Sequence, residues 1–509
     1  MTAYEQFCRH AAEINDILCA INVLQWDARI QMPPEGAQTR GYQLATLTRL
    51  AQERFTSAEN GRLIEAAESE LAGADPDSYP VRAVKAAREA YDIFQRIPQD
   101  LLAGRAALSA EAQNVWVEAR KANDFPRFAP YLKQMLAYAQ QMAEAIGYSD
   151  HPYDALLLQY EPGMTAQRLQ TLFAELRAVS LPLLERITAA GPQPKHAFLE
   201  REFPIEQQRA FAIDAAVAFG YDLNRGRVDV APHPFEISFT RQDVRITTRY
   251  QLRYPFAAIF GLMHETGHGL YELGAAPELT RSALTSDYLG MYAVGGASFG
   301  MHEAQSRMWE NLVGRSLAFW QVYYPRLREY FPAQLADVSL DTFYRAANRV
   351  QPSLIRVEAD EVTYNLHIML RTEIEMGLLD GTYTVDELPT AWNAKMEEYL
   401  GLTPPDDAQG VLQDVHWATG YFGSFPTYTL GNIMSGQLMA AARRQVSGLD
   451  DALARGEFAP LHNWLIDNIY RHARAYTPDE LLIRATGEAL HTGPYLAYLT
   501  EKFNTLYPG

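Results

Sequence analysis

Two histidines four residues apart, His264 and His268, are the residues of this sequence best suited to chemistry. On a helix this spacing places both imidazoles on one face, one turn apart, where they can share a single cation. Glu265 directly follows the first histidine, which is the position of a general base beside the cation. A zinc ion lowers the pKa of water to about 7, so the base can remove its proton near neutral pH. The pattern predicts a metal-dependent hydrolase.

The third metal ligand is not contained in this motif. A catalytic zinc needs three protein ligands and one open position. The extended motif with a third histidine is absent, because Gly274 stands ten residues after His264. The helix-like segment 302–310 instead offers two carboxylates on one face, Glu303 and Glu310. Either would complete a His-His-Glu site, and their spacing does not choose between them.

The surroundings of the motif leave other readings open. The preceding run 256–263, FAAIFGLM, is apolar enough for a buried helix, so a metal would lie inside the protein. The alternative is a helix whose two histidines only make hydrogen bonds in the core. Gly267 and Gly269 lower helix propensity but permit close packing or close approach of a ligand. Glu272 and Asp287 remain as further candidates for the third ligand.

Helical periodicity dominates the rest of the sequence, with Ala, Leu, Glu, Gln and Arg as the main residue types. The clearest helical stretches are 80–97, 130–146, 166–190 and 441–454. Strand-like alternation is clear only over 235–250, FEISFTRQDVRITTRY, where a polar turn at 241–243 separates two runs. We therefore expect a mainly α-helical globule with a small β-sheet, whose hairpin 235–250 lies beside the metal helix.

The hairpin itself has two readings. An edge strand next to a metal helix can hold an extended peptide through main-chain hydrogen bonds. It can equally cover one face of the core without touching a substrate.

Composition bounds the class of protein. The chain has 509 residues, 48% of them hydrophobic, and a formal net charge of -18. This acidic balance argues against nucleic acid as a partner, because phosphate binding needs a cationic surface. No apolar run approaches the ~18 residues that span a bilayer, and the N-terminus lacks the pattern of a signal peptide. Cys8 and Cys19 fit a reducing compartment, so we expect a cytoplasmic protein.

Five segments appear in the order of the hallmark motifs of one peptidase family. They are 243–247 (DVRIT), 264–268 (HETGH), 302–305 (HEAQ), 355–360 (IRVEAD) and 410–417 (GVLQDVHW). Further matches are 26–27 (WD), 32–34 (MPP), 160–165 (YEPGMT) and 485–488 (ATGE). Through these segments the chain resembles, nearly end to end, the metallocarboxypeptidases typified by carboxypeptidase Taq.

The resemblance implies one mostly helical catalytic domain over 1–509 with a deep active-site groove. A helical N-terminal part, roughly 1–200, would cover the groove, and the part from roughly 201 to 509 would carry the metal site. The resemblance also implies a homodimer that removes single residues from peptide C-termini with broad side-chain tolerance. It implies that Glu303 is the third metal ligand and that cobalt can replace zinc.

A carboxypeptidase must bind the terminal carboxylate of its substrate, and arginine does this best through a bidentate, charge-assisted fork. Arg356 is the first candidate because it lies in a hallmark motif and on a helix-like run. Its alternative role is an ion pair with Asp360, four residues later. Arg245 is a second candidate, although arginines on strands are usually solvated or paired with a carboxylate.

The oxyanion of the tetrahedral intermediate needs a donor besides the metal. Tyr428 and His233 are candidates, against the alternative that the tyrosine only packs in the core. Asp414 and His416 would form a pair that orients a ligand or the substrate, or else a hydrogen bond that holds a loop. Two features depart from the family pattern: the segment 269–301 is longer than expected, and Ser424 stands where relatives often carry tyrosine.

These observations predict a zinc carboxypeptidase acting on peptides. The predicted metal ligands are His264, His268 and Glu303. Glu265 is predicted to activate water and then to pass the proton to the leaving amine. The residues predicted to bind the substrate carboxylate or the oxyanion are Arg356, Tyr428 and His233. The alternatives are an oligopeptidase of the same zinc class that cuts internal bonds, and a peptide-binding protein with a structural metal.

Overall fold

Helices make up most of the regular structure, so the prediction of a mainly α-helical fold with a small sheet is confirmed. The computed structural model describes residues 1–191 and 193–508. The chain forms two units, each assembled from three separate stretches. The first unit comprises Met1–Gln95, Lys195–Ala347 and Met434–Leu490. The second unit comprises Arg96–Pro194, Asn348–Ile433 and His491–Gly509. The single catalytic domain expected over 1–509 stays a prediction.

The first unit holds the motif helix and most of the other helices. Its helices are Ala3–Ile30, Ala37–Phe55, Ala58–Glu70, Tyr79–Arg96, Ile205–Phe219, Phe256–Leu273, Phe299–Arg307, Leu317–Tyr330, Leu340–Ala347, Leu449–Ala454, Ala459–Asn468 and Pro478–Thr486. A π-helical segment, Met308–Gly314, follows one of them directly. Short 3-10 turns are Pro34–Gly36, Ala197–Glu200, Pro277–Leu279, Ala283–Thr285 and Tyr470–His472.

The described residues of the second unit form helices and two 3-10 turns. The helices are Gln99–Ala122, Phe125–Ile146, Pro152–Leu157, Ala166–Ala189, Tyr364–Leu379, Leu388–Leu400, His416–Thr419 and Gly493–Leu506. The 3-10 turns are Arg356–Glu358 and Val385–Glu387, and the helix Pro426–Gln445 contributes residues to both units. In the described part of the chain, no helix has both the length and the apolar character that crossing a membrane requires.

Three of the four helical stretches expected from the sequence are observed, as Tyr79–Arg96, Phe125–Ile146 and Ala166–Ala189. The fourth, 441–454, is wrong as a continuous helix. One helix ends at Gln445 and the next begins at Leu449. Gly448 stands between them with a φ of 70°, in the left-handed region that glycine adopts without a steric cost.

The sheet of the first unit contains the predicted hairpin. Strands β1 (Gly226–Val230), β2 (Glu236–Thr240) and β3 (Asp243–Thr248) lie in the order β1-β3-β2. β2 and β3 pair antiparallel, so the hairpin within 235–250 is confirmed, and β3 packs against the helix Phe256–Leu273. β1 pairs parallel with β3, which the local sequence pattern did not predict. Two short strands, Ser286–Asp287 and Tyr292–Ala293, pair separately.

The outer edge of β2 is partly covered by the first helix. Asn22 Nδ2 donates to the Ser238 carbonyl oxygen at 2.8 Å, and Cys19 Sγ donates to the Phe239 carbonyl oxygen at 2.7 Å. These carbonyl groups therefore already have partners. An added peptide strand would compete with these contacts, so the structure favours the reading in which this part of the hairpin covers the core.

Candidate metal centre

The helix Phe256–Leu273 carries His264 and His268 through the interior of the first unit. Its buried residues lie on both sides of the motif and around most of its circumference, as expected for a helix with an apolar N-terminal half. Gly267 lies against the backbone of Gln305 and Ser306. This contact brings the motif helix close to the helix Phe299–Arg307. The close packing anticipated for this glycine is thus observed.

Three ligand atoms converge between these two helices. Glu303 Oε2 lies 3.6 Å from His264 Nε2 and 3.4 Å from His268 Nε2. A set of ligand atoms from these residues lies within 4.8 Å of one another, a separation that one metal ion can bridge. Two imidazole nitrogens and one carboxylate oxygen form the donor set of a hydrolytic zinc site. Of the two carboxylates left open by spacing, Glu303 is the one whose oxygen lies beside both Nε2 atoms.

Glu310, the other candidate ligand, contacts the opposite side of the first histidine. Its Oε2 accepts from His264 Nδ1 at 2.9 Å, while its Oε1 accepts from Arg315 Nη2 at 3.0 Å. Glu310 belongs to the π-helical segment Met308–Gly314. A carboxylate on the far ring nitrogen orients a ligating histidine and fixes its tautomer.

The second histidine, His268, has a different partner on its Nδ1 atom. His268 Nδ1 lies 2.8 Å from His302 Nδ1, and His302 Nε2 lies 2.8 Å from Glu272 Oε1. Glu272, which was a reserve candidate for the third ligand, therefore stands behind the site. Asp287, the other reserve candidate, accepts from the Gly290 amide at 2.9 Å and pairs with Arg474 instead.

Glu265 has the electrostatic properties of a general base. Its side chain is buried, and burial raises its pKa from the usual 4.5 to about 7, with a further upward contribution from Glu303. A carboxylate with a pKa near neutrality can both accept and return a proton at the working pH. The sequence placed Glu265 beside the histidines, and the fold supplies the desolvation.

The surroundings of the predicted ligands shift their pKa values in different directions. Burial would raise the pKa of Glu303, but the Arg307 guanidinium and the two histidines outweigh it and lower the pKa. Arg307 Nε donates to Glu303 Oε1 at 2.6 Å. Burial lowers the pKa of His268 to about 4, which keeps its ring neutral as a metal ligand requires. For His264 burial also acts downward, but Glu303 and Glu310 outweigh it and raise the pKa.

Arg356 lies in the second unit, in a buried cluster with Asp414. The prediction that it lies on a helix is wrong, because Arg356–Glu358 is a single 3-10 turn. Its Nε donates to Asp414 Oδ1 at 3.0 Å and its Nη1 donates to the Tyr364 hydroxyl at 3.1 Å. The alternative ion pair with Asp360 is also not formed, since the Asp360 carboxylate accepts from residues 351, 362 and 363.

A second arginine shares the same carboxylate. Arg371 Nε donates to Asp414 Oδ2 at 2.6 Å, and its other nitrogens donate to the Gln413 side chain and the His367 carbonyl. Burial, with Arg356 nearby, lowers the pKa of Arg371 to about 10. Burial alone would raise the pKa of Asp414, but the two guanidinium groups lower it. The cluster thus holds two cations against one carboxylate.

Tyr428 belongs to this cluster and His233 does not. The Arg356 guanidinium lies over the Tyr428 ring at 5.0 Å, and the Tyr428 hydroxyl lies 3.3 Å from His416 Nε2. His416 Nδ1 is 3.9 Å from Asp414 Oδ1, beyond hydrogen-bond distance, so the expected Asp414–His416 pair is not a direct hydrogen bond. His233 is exposed in the loop between β1 and β2 of the first unit.

Two residues singled out in the sequence have structural partners. Arg245 pairs with Asp243 at 2.9 Å and lies over the Trp26 ring, in the first unit. Ser424 Oγ donates to the Tyr421 carbonyl at 2.7 Å and closes a turn.

Two histidines on an HExxH helix, a glutamate from a neighbouring helix beside both imidazoles, and a buried glutamate directly after the first histidine form the arrangement typical of the HExxH class of metallopeptidase sites. The family model for carboxypeptidase Taq (M32) metallopeptidases matches residues 6–503. This chain belongs to that family. The predicted family, and with it the prediction of a peptide hydrolase, is confirmed.

Individual relatives match over nearly their whole length. Thermostable carboxypeptidase 1 of Thermus thermophilus is 45% identical over 491 residues, which cover 95% of this chain and 94% of that protein. Carboxypeptidase 1 of Bacillus subtilis is 38% identical over 488 residues, covering 96% and 95%. The crystal structure of the M32 carboxypeptidase from Deinococcus radiodurans is 42% identical, with a TM-score of 0.95 and 100% of both chains covered.

Proposed function

We propose that this chain is a metal-dependent carboxypeptidase that releases single amino acids from peptide C-termini with broad specificity. The observation that carries the proposal is the convergence of His264, His268 and Glu303, with Glu265 next to them, in a member of a metallocarboxypeptidase family. The similar proteins named above are carboxypeptidases.

The three predicted ligands would hold a divalent cation, and the donor set fits Zn²⁺, with Co²⁺ as a substitute. The two Nε2 atoms face the Glu303 carboxylate, while the Nδ1 atoms face Glu310 and His302. This orientation supports ligation through Nε2. When bound, such a cation supplies Lewis acidity that polarises the scissile carbonyl and lowers the pKa of water.

Glu265 would move the proton that the reaction requires. Its buried carboxylate accepts a proton from water as the water oxygen attacks the carbonyl carbon, and it then donates that proton to the leaving amine nitrogen. Burial, which raises the pKa of the Glu265 carboxyl in the metal-free protein, strengthens the carboxylate as a proton acceptor and supports this role.

Arg356 would hold the C-terminal carboxylate of the peptide. Within the described part of the chain, its contacts use Nε–H, one Nη1–H and one Nη2–H, which leaves one further N–H on each terminal nitrogen. These two N–H groups, one on each terminal nitrogen, would be available to the two oxygens of a carboxylate. The excess of cations over carboxylates in the cluster with Arg371 and Asp414 further supports anion binding.

An oxyanion donor completes the proposed machinery, with Tyr428 and His233 as the two candidates. The contact of Tyr428 with Arg356 supports the tyrosine, because a donor is useful only near the bound end of the peptide. The exposed position of His233 gives it no comparable support.

We also propose that the enzyme acts as a homodimer in the cytoplasm. Cys8 and Cys19 are both free thiols, which fits a reducing compartment. Light scattering of the purified protein would give a mass of two chains, and a mass of 57.3 kDa would contradict the dimer.

Two peptides of one sequence test the activity, one with a free C-terminal carboxylate and one with a C-terminal amide. The enzyme should shorten the free peptide one residue at a time and leave the amide largely intact. A chelator should stop the reaction, and Zn²⁺ or Co²⁺ should restore it. Internal fragments from both peptides, identified by mass spectrometry, would instead establish an endopeptidase.

A further inference from the structure

The two histidine ligands have different supports behind them. His264 Nδ1 donates directly to the Glu310 carboxylate. His268 Nδ1 contacts another imidazole, His302, and a carboxylate, Glu272, comes only after it. The Nδ1–Nδ1 and Nε2–Oε1 distances of this second arrangement are both 2.8 Å, so both contacts are hydrogen bonds.

The direction of these hydrogen bonds follows from ligation. A histidine that binds a metal through Nε2 must carry its proton on Nδ1. His268 therefore donates from Nδ1, and His302 Nδ1 must be the acceptor. The His302 proton then resides on Nε2, which donates to Glu272 Oε1. One set of tautomers satisfies every atom from the ligand to the carboxylate.

The Glu272 carboxylate is itself fixed. It accepts from the Gly295 amide at 2.8 Å, the Gly296 amide at 2.9 Å and the Ser238 hydroxyl at 2.8 Å. Glycine at 296 is needed for the neighbouring ring, because a Cβ there would stand 2.2 Å from His302 Cδ2. The chain is therefore shaped to hold this imidazole in one orientation.

We propose that His302 and Glu272 are positioning residues that set the metal affinity of the site, by fixing the ring orientation and tautomer of His268. This inference rests on the proposed function, in which His268 is a metal ligand. Removing a partner of this kind weakens metal binding by ~10–100-fold.

The test measures the dissociation constant for Zn²⁺ by competition with a chromophoric chelator, together with the thermal unfolding of the metal-free protein. His302→Phe keeps an aromatic ring beside Tyr271 but removes the acceptor for His268, so Zn²⁺ affinity should fall by ~10–100-fold. His302→Gln restores an acceptor oxygen, and its affinity should lie between those of wild type and His302→Phe.

His10→Phe is the matched control. His10 is another buried histidine of the first unit, and its Nε2 contacts the Arg54 carbonyl oxygen rather than a ligand. Its replacement should leave Zn²⁺ affinity unchanged. Gly296→Ala retains every polar group but displaces the His302 ring, so it should weaken Zn²⁺ binding even if His302→Phe does not fold.

The outcomes separate the two proposals. Unchanged Zn²⁺ affinity in folded His302→Phe and Gly296→Ala, with tight binding in wild type, would overturn the positioning role alone. Equal Zn²⁺ binding by wild type and by a His264→Ala, His268→Ala double variant would instead overturn the metal site and the proposed function.

Discussion

Gly267 lies so close to the backbone of Gln305 that it has no room for a side chain. A Cβ atom added to Gly267 would lie 2.4 Å from the Gln305 carbonyl oxygen and 2.6 Å from the Ser306 Cα atom. These neighbours are backbone atoms, so they cannot move aside as the end of a flexible side chain can. Gly267 lies one residue before His268, and Gln305 lies two residues after Glu303. The absence of a side chain at this one residue therefore sets the distance between two predicted metal ligands.

Replacing Gly267 by alanine should force the two helices apart. We expect the free energy of unfolding of the metal-free protein to fall by about 1–3 kcal/mol, the usual cost of overpacking. Denaturant titration measures this change. Gly261→Ala, in the same helix, is the control, since its Cβ would meet only Thr248 Oγ1 at 3.5 Å. The control should be neutral or stabilised by up to about 1 kcal/mol; equal losses in both variants would refute the packing argument.

Replacing Glu265 by glutamine should slow hydrolysis strongly and leave metal binding intact. The amide has nearly the shape of the carboxylate but cannot accept the proton from water. We expect kcat to fall by ~10²–10⁴-fold, with the metal content per chain unchanged by elemental analysis. Near-normal turnover in a metal-loaded Glu265→Gln protein would show that another group is the base.

Local geometry predicted one part of the candidate site, and family resemblance predicted another. The spacing of His264 and His268 specifies one helical face, and Glu303 followed from resemblance to a family. The sequence did not predict the supporting contacts that Glu310, His302 and Glu272 make with the two histidines. Their contacts depend on the packing of separate helices and on a π-helical segment, which no local periodicity reports.

The fold shows the same limit. The hairpin within 235–250 is a local structure with its own turn, and it was predicted. β1 pairs with β3 in parallel, and each residue of β1 pairs with a residue 18 positions later, as Gly226 does with Val244. Alternation within one segment could not reveal this pairing, because the two partners lie in different segments. The motif predicted a role for Arg356, but it did not predict the backbone conformation at this residue. A 3-10 turn holds it, and Asp414, 58 residues later, accepts from it.

Arg356→Lys should weaken the enzyme specifically towards peptides with a free C-terminus. Lysine keeps the charge but loses the planar fork that binds both carboxylate oxygens. One charge-assisted hydrogen bond contributes about 1.5–3 kcal/mol, so kcat/KM should fall by roughly 10–100-fold.

The matched control is Arg49→Lys, at an exposed arginine paired with Glu53, which should leave kcat/KM unchanged. Steady-state rates on the free and amidated peptides measure both variants. An equal loss on the two peptides would argue against carboxylate recognition.

Glu375 should make stability depend on pH. Its carboxylate is fully buried, accepts from Tyr153, Trp417 and the Gly423 amide, and burial raises its pKa from 4.5 to about 7. A raised folded pKa means that its contribution is present below pH 4.5 and is lost as the pH rises through about 7. The loss amounts to at most about 3 kcal/mol.

Unfolding free energies of metal-free wild type and Glu375→Gln at several pH values between 5 and 8 test this assignment. The wild type should lose more stability than the variant as the pH rises, because the glutamine does not titrate. Parallel curves would mean that Glu375 does not change protonation in this range. Using the difference between the two proteins removes the contribution of Glu265, which is present in both.

The assembly of the first unit from three distant stretches bears on when the enzyme can become active during its synthesis. The end of the motif helix rests on the third stretch: a Cβ on Gly274 would stand 2.5 Å from Tyr470 Cβ, and Trp309 donates to the Tyr470 hydroxyl. Tyr470 follows Trp309 by 161 residues. A ribosome therefore releases the histidines and glutamates of the centre long before the residue that supports their helix. The nascent chain therefore carries the full set of predicted ligands while the scaffold of their helix is still incomplete, because Tyr470 is added 161 residues after Trp309.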